Sequence, residues 1–120
     1  MATAYIGRGT AWRAKGEVDR AFADDNEAIR LDPKLATAYN NRGNTWVAKG
    51  DNDRAIADYN EALKINPKQA FSLFGRGLAK LKKGDASGGE ADIAAAKAIQ
   101  TNIAEVFGRY GVTPSAATAR

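Results

Sequence analysis

The phrase RGTAWRAKGE (residues 8–17) returns as RGNTWVAKGD (42–51) and again as RGLAKLKKGD (76–85), each time 34 residues further on. A fixed period of this length is a severe constraint. Every period must fold into the same small unit, and the units must then stack on one another. The register extends beyond the phrase. Gly9, Gly43 and Gly77 align, as do Gly16, Gly50 and Gly84, Asp24, Asp58 and Asp92, and Ala28, Ala62 and Ala96. Pro33 and Pro67 align as well, with Thr101 at that place in the third copy. The units therefore run over about 2–35, 36–69 and 70–103.

Within the middle unit the pattern predicts two helices. Over 36–49, Tyr39, Trp46 and Val47 recur at helical spacing among small residues, and Gly50 stands where a helix-ending glycine belongs. Asp51 is placed to cap a second helix over about 52–65, where Ala55, Ile56, Tyr59, Ala62 and Leu63 make one apolar stripe. Asn66-Pro67 ends it, because a residue before proline disfavours α geometry. The other units follow, ending at Asp32-Pro33 and near Gln100. Gly43, Ala55 and Ala62 leave room for two helices to approach closely, and Tyr39, Trp46 and Tyr59 fill the space beside them. A hairpin this small cannot bury its apolar face alone. The predicted fold is all-α: a superhelical stack of three antiparallel helix hairpins.

Beyond the repeats, NIAEVFGRY (102–110) predicts a capping helix within 102–111, with Ile103, Val106 and Phe107 over the last hairpin and Gly111 as its stop. Residues 112–120 are small and polar and are expected to form a disordered tail. No such cap precedes the first unit, so Ile6, Phe22 and Ile29 are expected to be under-covered. A segment cut from a longer array, or an end that self-associates, would look like this. Asp25 stands where later units have Tyr59 and Ile93, which predicts a loose first unit. Lys80 in place of tryptophan, with Gly88-Gly89 in a helix, predicts a degenerate third one.

Tyr39-x2-Arg42-Gly43-x2-Trp46, followed by Ala55-x3-Tyr59, Ala62 and Pro67, resembles the tetratricopeptide repeat, and the resemblance stays in phase from residue 2 to about 101. AYNNRGN with DRAIADYNEAL is most similar to bacterial members. The resemblance implies an α-solenoid whose first helices line a concave groove for an extended peptide or a partner helix, without catalysis. In this chain the groove positions are Thr3, Ile6, Thr10 and Arg13, then Thr37, Asn40, Asn41, Asn44 and Val47, then Phe71, Phe74, Leu78 and Leu81. The asparagines offer donors and acceptors to a peptide backbone. Phe71, Phe74, Leu78 and Leu81 form a stripe on a face distinct from the core position Leu73 and are expected to be an exposed apolar anchor, unless another part of the chain covers them. Some relatives grip acidic chaperone tails with a lysine and asparagine clamp. The matching positions here are Ile6, Thr10, Asn41, Phe71 and Gly75, of which Asn41 alone fits.

Two departures recur in all three units. The family usually has leucine where Arg8, Arg42 and Arg76 stand, and often an aromatic where Asp24, Asp58 and Asp92 stand. A coupled swap predicts that each arginine reaches from a first helix to an aspartate of a second helix, in the same or the preceding unit. Arginine suits such a partly buried two-pronged pairing.

The chemistry that is missing narrows the function. The 120 residues contain no cysteine and no histidine, which removes thiolate nucleophiles, disulfides, imidazole bases and most zinc sites. Asp24 and Asp25 are adjacent, so on a helix they point about 100° apart and are not opposed catalytic carboxylates. No glycine follows a strand, so no phosphate loop is formed. The net charge is +4 with acids and bases interleaved, and the small cluster Lys80, Lys82 and Lys83 lacks interleaved aromatics, so nucleic acid is not expected as a partner. No apolar run approaches the ~20 residues that span a bilayer, and the N-terminus does not read as a signal peptide. The expectation is a non-enzymatic module without cofactor or metal that binds another protein. The alternative is a scaffold that self-associates through its N-terminal end or the Phe71–Leu81 stripe. The compartment, bacterial cytoplasm or periplasm, is left open.

Overall fold

The computed structural model describes residues 1–109. The positions expected to stop the capping helix and form the tail, Gly111 and 112–120, lie outside the described residues. The chain is built from α1 (Ala2–Ala14), α2 (Val18–Leu31), α3 (Ala36–Lys49), α4 (Asn52–Ile65), α5 (Ala70–Lys82), α6 (Ala86–Ile99) and α7 (Ile103–Arg109). The first six pair as hairpins α1–α2, α3–α4 and α5–α6, and each hairpin packs on the next through α2–α3 and α4–α5. The first helices also meet one another, α1 on α3 and α3 on α5, which makes the fold a solenoid.

Local chemistry explains the boundaries. Gly16, Gly50 and Gly84 take left-handed φ values of 81°, 88° and 91°, which glycine adopts without a Cβ penalty. Asp51 and Asp85 then cap α4 and α6, their Oδ1 atoms accepting from the backbone N–H of Arg54 at 3.0 Å and Gly88 at 2.9 Å. At the far ends, Asp32 and Asn66 are extended before their prolines, and their side chains accept from the N–H groups of Lys34 and Lys68, both at 3.2 Å.

The recurrent arginine and aspartate form one fork per hairpin. Nε and Nη2 of Arg8, Arg42 and Arg76 donate to both carboxylate oxygens of Asp24, Asp58 and Asp92, at 2.8–2.9 Å. The pairing lies within each unit. The preceding unit contributes an amide instead: Arg42 Nη1 donates to Asn26 at 3.1 Å and Arg76 Nη1 to Asn60 at 2.9 Å. Each fork thus closes its own hairpin and, in units two and three, ties it to the hairpin before.

The departures in the third unit have structural roles of their own. Gly77 and Gly89 face each other so closely that a Cβ on either would lie 2.7–2.8 Å from the other's carbonyl oxygen. Glycine at 89 therefore sets the approach of α5 and α6. Lys80 has also taken over a role. In the first two units Arg20 and Arg54 stack over Trp12 and Trp46, with centroid distances of 4.7 and 5.0 Å. The third has Lys80 and Gly88 at those places, and Lys80 Nζ instead reaches Asp92 Oδ2 at 2.9 Å. Lys83 pairs with Asp53, so the basic cluster is largely spent within the chain.

The two junctions between hairpins differ. Between the second and third, Tyr59 is fully buried between Gly43 and Gly75, where a Cβ would come within 2.8 and 2.6 Å of its ring. Its hydroxyl donates to Asn44 Oδ1 at 2.5 Å. Between the first and second, Asp25 replaces the tyrosine and Asn41 replaces the second glycine. A small residue opposite a large one has become a large one opposite a small one. Contrary to the expectation from its charge, Asp25 is not loose. It is fully buried, with Asn41 Nδ2 and Thr45 Oγ1 both donating to it at 2.6 Å. The principal apolar core lies further along, where Ala70, Leu73, Phe74, Leu78 and Ala96 meet Ile103 and Phe107 of α7.

Two stability measurements follow. The side chain of Asp58 is 7% exposed and that of Arg42 27%, so removing the arginine strands a carboxylate while removing the aspartate leaves a cation that can reach water. Arg42→Met is expected to cost about 3 kcal/mol and Asp58→Asn about 1 kcal/mol, read as urea midpoints; equal costs would refute the asymmetry. At the first junction, Asp25→Tyr alone is expected to cost at least about 3 kcal/mol by overpacking. Adding Asn41→Gly, Thr45→Ala, Arg13→Val and Thr10→Asn, which copies the second junction without stranding the buried arginine, should recover most of it in the same assay.

Candidate functional site

The concave side of the stack carries a groove of about 220 Å³ lined by Ile6, Thr10, Thr37, Asn40, Asn41, Asn44, Gln69, Phe71 and Phe107. Seven of these are the positions expected from the sequence. Gln69, from the α4–α5 turn, and Phe107, from α7, are additions. Gln69 precedes α5 and its period gives no hint of a groove role, whereas the sequence points Phe107 only over the last hairpin.

Other expected positions lie elsewhere. Phe74 and Leu78 are buried in the core under Ile103 and Phe107, so the stripe from Phe71 to Leu81 is not an open surface. The ring of Phe107 packs on Phe74 at a centroid distance of 5.1 Å and on Phe71 at 6.4 Å. Leu81 turns towards α6, its side chain meeting the place of a Cβ on Gly89. Val47 is half-buried against the apolar core. Thr3 is exposed but does not line the groove. Arg13 is buried rather than presented, and its Nη1 donates at 3.3 Å to the carbonyl oxygen of Asn41, to Asn41 Oδ1 and to Thr45 Oγ1.

Two hydrogen-bonded networks form the floor. Under the first junction Asn41 is occupied on both sides: Nδ2 donates to Asp25, while Oδ1 accepts from Thr10 Oγ1 at 2.8 Å and from Arg13. Asn41 therefore serves the packing of α1, α2 and α3. At the second junction Asn40 Nδ2 donates to Ser72 Oγ at 3.0 Å, Ser72 donates to Gln69 Oε1 at 2.5 Å, and Gln69 Nε2 donates to Thr37 Oγ1 at 3.4 Å. This chain ties α3 to the start of α5. Asn40 Oδ1 and Asn44 Nδ2 have no hydrogen-bond partner among the described residues, so each leaves one amide atom for a ligand.

Burial sets the electrostatics. Loss of solvent pushes the Asp25 carboxyl above the usual range, against the opposing pull of Thr45, Asn41 and the Arg13 cation. Loss of solvent likewise lowers Arg13, with Asp25 acting the other way. The Arg8 fork holds Asp24 below the usual carboxylate range. Among the described residues no group of three or more histidine, cysteine, aspartate or glutamate side chains could hold a metal ion. No described helix is long and apolar enough to cross a membrane.

A carboxyl whose pKa rises on folding binds its proton more tightly in the folded state. Its contribution to stability is present at acid pH and is lost as pH rises from the ordinary value, about 4, through the folded one. Asp25→Asn can keep the geometry, donating to Thr45 Oγ1 while the threonine hydroxyl turns to the Asn41 carbonyl at 3.1 Å. The thermal midpoint of Asp25→Asn relative to the unaltered chain should therefore climb as pH rises above about 4. A difference flat between acid and neutral pH would show that the charge carries no such penalty.

Comparison with known proteins came to the same architecture. Residues 36–69 match the family model described as tetratricopeptide repeat. No curated protein matches the chain. Among solved structures, the first TPR of Spaghetti (RPAP3), solved bound to the HSP90 peptide SRMEEVD, superposes with a TM-score of 0.80 at 18% identity, over 99% of this chain and 94% of that one. Residues 36–69 are thus a tetratricopeptide repeat by family model, and the chain shares the fold of a tetratricopeptide domain over 99% of its length.

Proposed function

We propose that the concave groove binds an extended segment of another protein, without catalysis. The observation that carries this reading is the pairing of two amide atoms without a partner among the described residues, on Asn40 and Asn44, with the apolar side chains of Ile6, Phe71 and Phe107 along one groove. A peptide backbone has a donor and an acceptor at each residue and can satisfy both amides. One apolar side chain of the same peptide packs against Ile6 and Phe71 and supplies the larger share of the affinity. The floor is already hydrogen-bonded, so little ordering is required on binding.

The Spaghetti (RPAP3) structure, in which a tetratricopeptide domain holds an HSP90 peptide, supports a peptide as the class of ligand. An acidic chaperone tail is the wrong ligand for this groove. Ile6, Thr10, Phe71 and Gly75 offer no cation at the clamp positions, and Asn41 is committed to Asp25 and Thr10. The ligand is instead a neutral segment with an apolar anchor. Self-association through the Phe71–Leu81 stripe loses its basis, because Phe74 and Leu78 lie beneath α7.

Thr37 is exposed at the groove and contributes only an acceptor to Gln69, so Thr37→Arg fills the groove without entering the core. Peptides selected from a random display library on the unaltered chain should carry an apolar residue in common and bind it with micromolar Kd. Thr37→Arg should weaken them at least about tenfold, equivalent to about 1.4 kcal/mol, with an unchanged thermal midpoint. Selected peptides that bind Thr37→Arg equally well would place the binding site elsewhere and overturn the reading.

A further inference from the structure

Successive hairpins stack by setting a first helix on the preceding second helix, α3 on α2 and α5 on α4. The segment after the third hairpin departs from that plan, because α7 packs mainly on α5. Phe71, Phe74 and Leu78 lie at i, i+3 and i+7 along one face of α5. Phe71 lines the groove, and the other two are covered by Ile103 and Phe107 of α7. Phe107 itself borders the groove beside Phe71. So α7 occupies the run of the groove that continues over the third hairpin.

The hold on α7 differs from the hold on the other helices. Each hairpin is closed by its arginine–aspartate fork. Among the described residues, no side chain of α7 makes a hydrogen bond or ion pair with the six preceding helices, and Arg109 pairs with Glu105 of its own helix. Seven residues are too few for a helix to sustain itself in water. Gly108 weakens it further, and a Cβ there would meet no atom within 4 Å, so packing does not call for the glycine. The attachment rests chiefly on Ile103 and Phe107, one helical turn apart and 0% and 1% exposed.

We propose that α7 is a displaceable strap, holding the third-unit run of the concave groove until a segment of another protein with two apolar side chains one helical turn apart takes its place. The chemistry of that segment is read from α7, whose pair Ile103 and Phe107 fills the space over Phe74 and Leu78. Departure of α7 without a replacement would leave Phe74 and Leu78 in water, which keeps the strap closed in the absence of such a segment. The inference rests on the reading that the concave side binds a peptide, and adds to it what limits the length of the groove and what lifts that limit.

The probe is an unlabelled peptide of residues 102–109, added to the isotope-labelled full chain carrying Ile103→Ser. Ile103 does not line the groove, so the variant loosens the strap and leaves the lining intact. Saturating shifts are expected at the amides of Phe74 and Leu78, with the chain's own 103–109 moving to coil positions. Binding should be at least about tenfold tighter than to the unaltered chain, where the tethered α7 competes at high effective concentration. A probe carrying Phe107→Ser should bind at least about tenfold more weakly. Adding Gly108→Ala to the chain strengthens the strap, and should raise the thermal midpoint and weaken the probe about threefold or more. A raised midpoint with unchanged probe affinity would make α7 a fixed cap and overturn the proposal. So would the absence of shifts at millimolar probe, or binding that leaves 103–109 in place. A dimer in sedimentation that the probe dissolves would give the run to α7 of a second copy, and would overturn it as well. Failure of the groove reading shows separately, as selected peptides indifferent to Thr37→Arg, because the probe is read at Phe74 and Leu78.

Discussion

Gly43 has no side chain, and the ring of Tyr59 occupies the room one would need. The rest of the stack depends on that kind of closeness. Because α3 and α4 approach over a glycine, Arg42 is within reach of both oxygens of Asp58, and its remaining nitrogen reaches Asn26 of the preceding hairpin. Closeness comes first and the charge pair second. A fork between helices held further apart would be an ordinary solvated pair with little effect on stability. Gly77 and Gly89 produce the same condition in the third hairpin through direct backbone contact.

The hairpins are alike in plan and unlike in what lies between them. At the first junction the buried groups are polar, with Asp25, Asn41, Thr45 and Arg13 answering one another. At the second the buried group is an aromatic ring, and beyond it Leu73, Phe74, Leu78, Ile103 and Phe107 close an apolar core. Polar packing requires every donor and acceptor to be answered in one geometry, whereas apolar packing tolerates small shifts. The groove sits over both, with Phe71 and Phe107 from the apolar end and Thr10 and Asn41 from the polar one. That division suits the peptide segment proposed as the groove's ligand.

The sequence is most informative where residues recur together. Arg8, Arg42 and Arg76 change in step with Asp24, Asp58 and Asp92, and a substitution repeated three times in two places implies contact between them. The helix ends are legible for the same reason, since Gly50, Asp51 and Pro67 each perform a known local task. Asp25 misleads because its partners Asn41 and Thr45 occur in one unit alone, so the period does not flag them. Phe74 and Leu78 mislead because the direction taken by α7 depends on packing after the repeat ends, and nothing in a 34-residue register encodes it. Seven groove positions are legible because they follow from which face of the first helices turns inward. Phe107 is not, because it reaches the groove from outside that register.

The mismatch between the junctions bears on how such an array could lengthen. Suppose the middle unit were copied in tandem. Tyr59 of the first copy would then face Asn41 of the second, where only the bare backbone of Gly75 now makes room for it. The intended neighbour would be rejected until a further substitution removed the asparagine side chain. Copying the first unit would set Asp25 against Gly7, with neither the amide of Asn41 nor the hydroxyl of Thr45 to answer it. Each hairpin thus carries the address of its successor, and the order of the three is written into their seams as well as into the peptide bonds that join them.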